Sequence, residues 1–430
     1  MARALILGGY GLIGAAALRA LSDAGYECVG MGRHRRNAQR CFPDIPWVIR
    51  DLATLSPQEW IEILEDIDVV VNAAGALQDT AQDSLDGIHV SMLRALCAAM
   101  LGRDARLIQI SAAGATPDAA TAFLRSKAEG DALVATSGVD HVILRPSLVL
   151  GPTAYGGSAL LRAAAAAPVH LRLFPNSQIQ TVGLNDVAEA IVRATKDDIP
   201  SGTVADLTAP EPHSFPALVT QMRRWLGYSP ARLTLPLPDW SIRMMGRGAD
   251  VLGRMGWRPA LRTTALVTLR QGVHADPSLW DQLSQQPCRS LQATLMHMPS
   301  SPQERWFARL FLLFPLILGT LSLFWILSGG IAVLNASAAI DVLVSRGVDP
   351  HFSSNAVYGG AVLDVALGLG VLWRRTAKAA LLGMVALSLC YLAGGTVLTP
   401  DLWADPMGPF VKVIPGMILA LCALPMVDTR

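Results

Sequence analysis

Charge is what this sequence has least of, and the shortage is uneven. Charged residues make up 16% of the chain, are frequent up to Arg309, and then nearly vanish. Such a break marks the start of a membrane region. Neither sign is in excess: a formal net charge of +1 over 430 residues argues against a nucleic-acid-binding surface as the main business, so no nucleic-acid partner is expected. Cysteine is sparse too. Cys28, Cys41, Cys97, Cys288, Cys390 and Cys422 form no CxxC or other metal-type spacing. They read as small buried residues in a reducing compartment, with no disulfide framework and no metal site. At the start no charged stretch precedes a long apolar run, and Ala4–Leu7 is too short to be one. A secretory signal peptide is therefore not expected. The length predicts two or three domains.

What is present is organised around Ala4-Leu5-Ile6-Leu7-Gly8-Gly9-Tyr10-Gly11-Leu12-Ile13-Gly14. A short apolar run ends in glycines at Gly8, Gly11 and Gly14, and Ala15–Ala24 then reads as a helix. This is a strand, a tight turn and a helix N-terminus suited to a pyrophosphate. Gly8 allows the sharp turn, Gly11 a close approach of backbone to phosphate, and Gly14 close helix–strand packing. A second strand, Glu27–Gly32, is followed by Arg33, His34, Arg35 and Arg36, with no acid until Asp44. A site selective for NAD usually carries a carboxylate there. Guanidinium forks at Arg33 and Arg36 instead fit a 2′-phosphate and favour NADP(H) over NAD(H); the bland alternative is a solvated basic loop.

A third strand, Trp47–Arg50, ends at Asp51-Leu52, where a carboxylate can reach an adenine amino group. The runs Asp68–Val71 and Arg106–Ile110 read as strands buried on both faces. They end in Asn72-Ala73-Ala74-Gly75 and Ser111-Ala112-Ala113-Gly114. Helical stretches at Leu85–Met100 and Ala119–Thr136 alternate with them, which predicts a doubly wound parallel sheet. Ligands of such sheets bind beyond the carboxyl ends of the strands.

The glycine loop, Asp51-Leu52, Asn72–Gly75, Ser111, Lys127 and Leu144-Arg145-Pro146-Ser147-Leu148-Val149-Leu150-Gly151-Pro152 together resemble the extended and atypical short-chain dehydrogenase/reductases. The likeness covers residues 1–210 and extends to the subgroup that includes the nucleotide-binding accessory subunit of respiratory complex I. It implies a Rossmann-type domain with a small substrate lobe. It also implies cofactor contacts from Gly8, Tyr10, Gly11, Leu12, Ile13, Gly14, Arg33, Arg36, Asp51, Leu52, Ala73, Ala74, Gly75, Lys127 and Pro146. The family's acid/base pair is Tyr-x-x-x-Lys, one helical turn apart. Here the pair reads Phe123-Leu124-Arg125-Ser126-Lys127. A phenyl ring donates no proton, so either Lys127 acts as the acid/base group or the domain binds NADP(H) without turnover. Ser111 stands where the family's third catalytic residue lies. The stretch Gln180–Asp186 followed by Val187–Thr195 resembles the lobe's strand-then-helix return, with Asp186 as helix cap.

Between residues 211 and 304 prolines are frequent and the pattern weakens to a connector or substrate-lobe region, with helices at Leu218–Leu226 and Ala260–Val273. Arg243, Met244, Met245, Arg247 and Arg254 suggest either a solvated face or one lying on anionic lipid. From residue 305 onward four spans are expected: Leu310–Leu334, Ala356–Trp373, Ala379–Thr399 and Pro409–Val427. Arg305, Arg309, Arg374, Arg375 and Lys378 lie on one side, whereas Asp401 and Asp405 occupy a loop on the other. Residues 1–304 and the C-terminus are thus expected on the cytoplasmic side of a multi-pass inner-membrane protein. This region, with Pro302–Leu310 leading into it, resembles the DoxX-like membrane domains, and Asp364 is its one intramembrane acid.

Two functions follow from the residues and the resemblance. One is an NADP(H)-dependent oxidoreductase, anchored in the bilayer and acting on a quinone or other lipophilic small molecule. The other is a non-catalytic NADP(H)-binding assembly factor with a membrane-complex partner.

Overall fold

The chain is described from a computed structural model covering residues 1–79, 84–257, 259, 261–406 and 408–428. It divides into two compact units, residues 1–249 with 260–308, and residues 250–259 with 309–430. The connector region 211–304 therefore packs in the first unit, apart from its stretch 250–259.

The first unit is built on a seven-stranded parallel sheet. Its strands are β1 (Arg3–Leu7), β2 (Glu27–Gly32), β3 (Trp47–Ile49), β4 (Val69–Asn72), β5 (Arg106–Ile110), β6 (His141–Pro146) and β7 (Thr203–Leu207). Their spatial order is β7-β6-β5-β4-β1-β2-β3. Each crossover helix covers one face of the sheet: α1 (Leu12–Asp23), α2 (Arg35–Cys41), α3 (Pro57–Ile63), α4 (Met92–Met100) and α5 (Ala122–Thr136). β1 shows why the sheet is buried on both sides. Ala4 and Ile6 enter a core with Leu18, Leu21 and Val187, while Leu5 and Leu7 enter a second one with Trp60, Met92 and Leu93. The strand order reverses between β1 and β4, which opens a crevice at their carboxyl ends.

The lobe differs in detail from the expectation. A short strand Thr181–Gly183 pairs with Leu148–Leu150, and the helix after it spans Leu184–Ala194. Its N-cap is Gly183, without a side-chain cap. Asp186 lies inside the first turn, where the guanidinium of Arg289 meets it at 3.1 Å. An acid in a first turn suits the helix dipole as well as a cap does, and the distant arginine draws it inward. The connector helices run Phe215–Trp225 and Thr263–Gln271; Ala260, the expected start of the second, lies outside the described residues.

Among the described residues, three helices are long and apolar enough to cross a membrane: Pro302–Leu334, which belongs to the second unit from Arg309 onward, Arg374–Leu398 and Pro409–Val427. The expected span Ala356–Trp373 forms the helix Pro350–Gly370. It starts earlier, on His351, Ser353, Ser354 and Asn355, and carries Asp364, so its composition is less apolar than the other three. Phe314, Leu321, Trp325, Leu381 and Met384 form this unit's core. Leu316, Leu323, Ile331, Val362 and Val397 face outward. A face this apolar requires lipid rather than water. Asp364 is buried and accepts from Ser328 Oγ at 2.9 Å and Tyr391 Oη at 2.8 Å, joining three helices.

Candidate active site

The glycine loop closes tightly onto the sheet. Gly8 adopts φ +71°, and the amides of Gly8 and Gly9 both donate to the Met31 carbonyl at 3.0 and 3.2 Å. A Cβ on Gly8 would lie 3.0 Å from Ala74 Cα, so the loop and the end of β4 are in contact. A Cβ on Gly14 would strike the Gly8 carbonyl oxygen. Gly11 is the N-cap of α1 and offers no side chain to it. The amides of Leu12, Ile13 and Gly14 thus begin a helix with no acid in its first turn, an arrangement that suits a phosphate. These residues fit a dinucleotide: the loop is tight enough that a Cβ at Gly8 or Gly14 would disturb it, and the helix start is left without a side-chain cap.

The other expected cofactor residues lie at or just beyond the carboxyl ends of the strands, with Arg36 on α2. The Tyr10 ring covers Gly32, where any Cβ would meet it, and its hydroxyl accepts from the Arg33 amide at 3.2 Å. Arg33 is half-buried and Arg36 exposed on α2. Asp51 caps the turn Leu52–Thr54, accepting from the Ala53 amide at 3.1 Å. The Ala73 amide extends the ladder to the Leu7 carbonyl, and Asn72 Oδ1 accepts from the Ala74 amide. Pro146 ends β6, its carbonyl accepting from Ala113.

Lys127 is buried on α5, four residues after Phe123, and its Nζ donates to the Ile110 carbonyl at 2.9 Å. A Cβ on Gly75 would lie 3.5 Å from that Nζ. Burial pulls the ammonium down to about 8, partly offset by the charge of Asp131 one turn on. Asp131 is itself buried; burial raises its pKa against the opposing influence of Arg145, which it meets at 2.8 Å. The Ser111 hydroxyl donates to the same carboxylate at 2.8 Å. Ser111, Lys127, Asp131 and Arg145 therefore form one polar cluster at the ends of β5 and β6.

A further residue lies at this site. His89 sits on a π-helical turn, Gly87–Ser91, that leads into α4. Its ring meets Phe123 edge-on at 5.8 Å. Nε2 accepts from the Ala76 amide at 3.2 Å, which leaves the proton on Nδ1, 2.8 Å from Ser126 Oγ. The Ser126 hydroxyl in turn donates to the Phe123 carbonyl at 3.0 Å. Burial and the Lys127 charge push His89 down to about 3, so it is neutral. Only Asp131 carried a readable signal, at i+4 from Lys127; a lone histidine in a helical stretch carries none. A surface cleft of about 400 Å³ lined by Asp186, Arg193, Trp280 and Arg289 contains none of these groups.

Residues 4–204 match the NAD dependent epimerase/dehydratase family, and residues 322–421 match the DoxX-like family. The chain joins an epimerase/dehydratase-type domain to a DoxX-like domain. No curated protein matches it. Among solved structures it resembles WbmH of Bordetella bronchiseptica in complex with NAD+, at 17% identity and TM-score 0.53, over 69% of this chain and 97% of that one. A putative epimerase from Burkholderia cenocepacia J2315 is 18% identical with TM-score 0.52, over 72% and 98%. UDP-N-acetylglucosamine 4-epimerase from Bacillus cereus is 13% identical with TM-score 0.51, over 69% and 94%. At these identities the likeness is one of fold. The family match and the Rossmann-type sheet support a nucleotide cofactor of the NAD(P) kind for residues 4–204, and the DoxX-like match with the apolar helices supports a membrane protein.

Proposed function

We propose that the chain is a membrane-anchored NADP(H)-dependent oxidoreductase in which Lys127 handles the proton that Phe123 cannot. One observation carries this reading: Lys127 is buried beside Gly75, and that burial pulls its ammonium down to about 8. NADPH supplies a hydride when bound. Gly8, Gly11, Leu12, Ile13 and Gly14 would hold its pyrophosphate, Tyr10, Asp51 and Leu52 its adenosine end, and Arg33 with Arg36 its 2′-phosphate. Ala73, Ala74, Gly75, Pro146 and Lys127 would line the nicotinamide half. Lys127 would give its proton from Nζ to the oxygen of a lipophilic carbonyl or quinone. Ser111 would orient that oxygen after turning from Asp131. The basic residues Arg374, Arg375 and Lys378 support a multi-pass arrangement in the inner membrane, with residues 1–304 and the C-terminus in the cytoplasm.

NADPH oxidation by the detergent-purified full chain against a quinone panel tests this. Turnover is expected, with kcat/KM falling as pH rises through about 8, because only the protonated lysine is an acid. A flat profile across that range overturns the role of Lys127. Separately, Arg33→Ala is expected to weaken NADPH binding about tenfold and to leave NADH within about twofold. An unchanged NADPH-over-NADH ratio removes the cofactor assignment.

A second reading, a non-catalytic NADP(H)-binding assembly or stability factor of a membrane complex, draws on Phe123 and on the Ser111 proton directed at Asp131. It expects tight NADPH binding with no turnover that depends on Lys127.

A further inference from the structure

The helix Asp239–Arg254 has an outward face that the chemistry above does not use. At 3.6 residues per turn, Trp240, Arg243, Met244, Arg247, Val251 and Arg254 fall on one stripe. All six are exposed, Trp240 by 59% and Met244 by 63%. The opposite face, Ile242, Gly246 and Ala249, is buried. The stripe carries no acid. Asp239 pairs with Arg270 at 3.0 Å, and Asp250 is half-buried at the stripe's edge. Large apolar side chains set among arginines alone are the composition of a helix at a lipid–water boundary.

The chain beyond the helix fixes the level of its end. The Met255 carbonyl accepts from the Arg374 amide at 3.1 Å. The Trp257 ring meets Phe314 edge-on at 5.6 Å, and its indole N–H donates to the Leu372 carbonyl at 2.6 Å. Leu372–Arg374 is the corner between two helices of the membrane unit, and Arg374, Arg375 and Lys378 gather there. Phe314 lies near the start of the uncharged run of the first apolar helix. The last turn of the helix, residues 250–254, belongs to the same unit as these apolar helices and leads directly into their basic margin, where headgroups lie.

We propose that Asp239–Arg254 is an interfacial helix. Arg243, Arg247 and Arg254 bind anionic phospholipid headgroups, and Trp240, Met244 and Val251 enter the boundary with the acyl chains. This rests on the membrane placement of the apolar helices and is independent of any oxidoreductase activity.

The test uses the full chain in nanodiscs of phosphatidylcholine, with or without phosphatidylglycerol. The exposed native cysteines are removed by Cys41→Ser, Cys390→Ala and Cys422→Ala. An environment-sensitive fluorophore is placed at Met244→Cys, at Trp240→Cys in a second variant, and at Arg94→Cys on α4 as the water-exposed control. Lipids spin-labelled high on the acyl chain should quench Met244→Cys and Trp240→Cys roughly threefold more in the anionic discs, with Arg94→Cys unquenched. Arg243→Gln with Arg247→Gln should abolish the excess. Quenching equal to that of Arg94→Cys, or equal in both lipid mixtures, overturns the proposal. So does a label shielded only when two copies share a disc. Release of the chain from membranes by alkaline carbonate would instead defeat the membrane placement itself, and it is scored separately.

Discussion

Lys127→Met is expected to lower turnover by about 10²- to 10⁴-fold, the range for a lost general acid, with a smaller change in NADPH affinity. Steady-state rates and a binding titration separate the two. The same variant has a second signature, in stability. Burial holds the folded lysine at about 8, below the 10.5 of an exposed one. Between those values the unfolded chain binds the extra proton, so stability rises with pH from about 8 to about 10.5 and is level on either side, where both states carry the same number of protons. The difference amounts to about 3 kcal/mol. In Lys127→Met this rise should vanish, leaving the mutant the more stable protein at neutral pH. Denaturant titrations at pH 7 and pH 10 check it. A mutant that loses activity without flattening the profile would mean that Lys127 is solvated in the native state, contrary to its contact with Ile110.

The sheet was readable because parallel strands buried on both faces appear as continuous apolar runs. β2 and β5 emerge with the boundaries that the sequence suggests and β1 starts one residue earlier, at Arg3; each ends where small residues or arginines interrupt the run. Asp186 shows the limit of local reading. An acid before an apolar helix looks like a cap, and its partner Arg289 lies about 100 residues away. His89 shows another. Its position beside Phe123 depends on a π-helical turn, which no spacing rule announces. Asp131 was visible at i+4 from Lys127, but a charged residue on a helix normally faces water. Only packing against β5 and β6 turns it inward to Ser111 and Arg145.

The membrane region was legible by its loss of charge, less so by its helix limits. Counting uncharged residues marks four segments, whereas helix limits bring polar residues into the second of them. The buried Asp364 explains part of that difference. Its two hydrogen bonds need Ser328 and Tyr391 from neighbouring helices, so the helix is polar where it packs and not only where it starts.

Gly14→Ala should have the largest effect on cofactor binding. The added methyl meets the Gly8 carbonyl oxygen, and both atoms belong to backbone that cannot swing aside. Either α1 moves off β1 or the Gly8 turn opens, at a cost of about 1–3 kcal/mol in stability. Each response displaces the amides of Leu12 and Ile13 from the pyrophosphate position. A shift of about 1 Å is enough for a loss on the order of 10²-fold in function. Gly25→Ala provides the contrast. Gly25, unlike Gly14, has a left-handed backbone, φ +91°, and nothing lies within 4 Å of its Cβ position. That change should destabilise by about 1 kcal/mol through backbone strain alone and leave NADPH affinity intact. Thermal unfolding and NADPH titration on the two variants separate a general loss of stability from a closed cradle. Equal binding losses in both would mean that the loop contributes through fold stability, and that the Gly8–Gly14 contact has no special part in holding the dinucleotide.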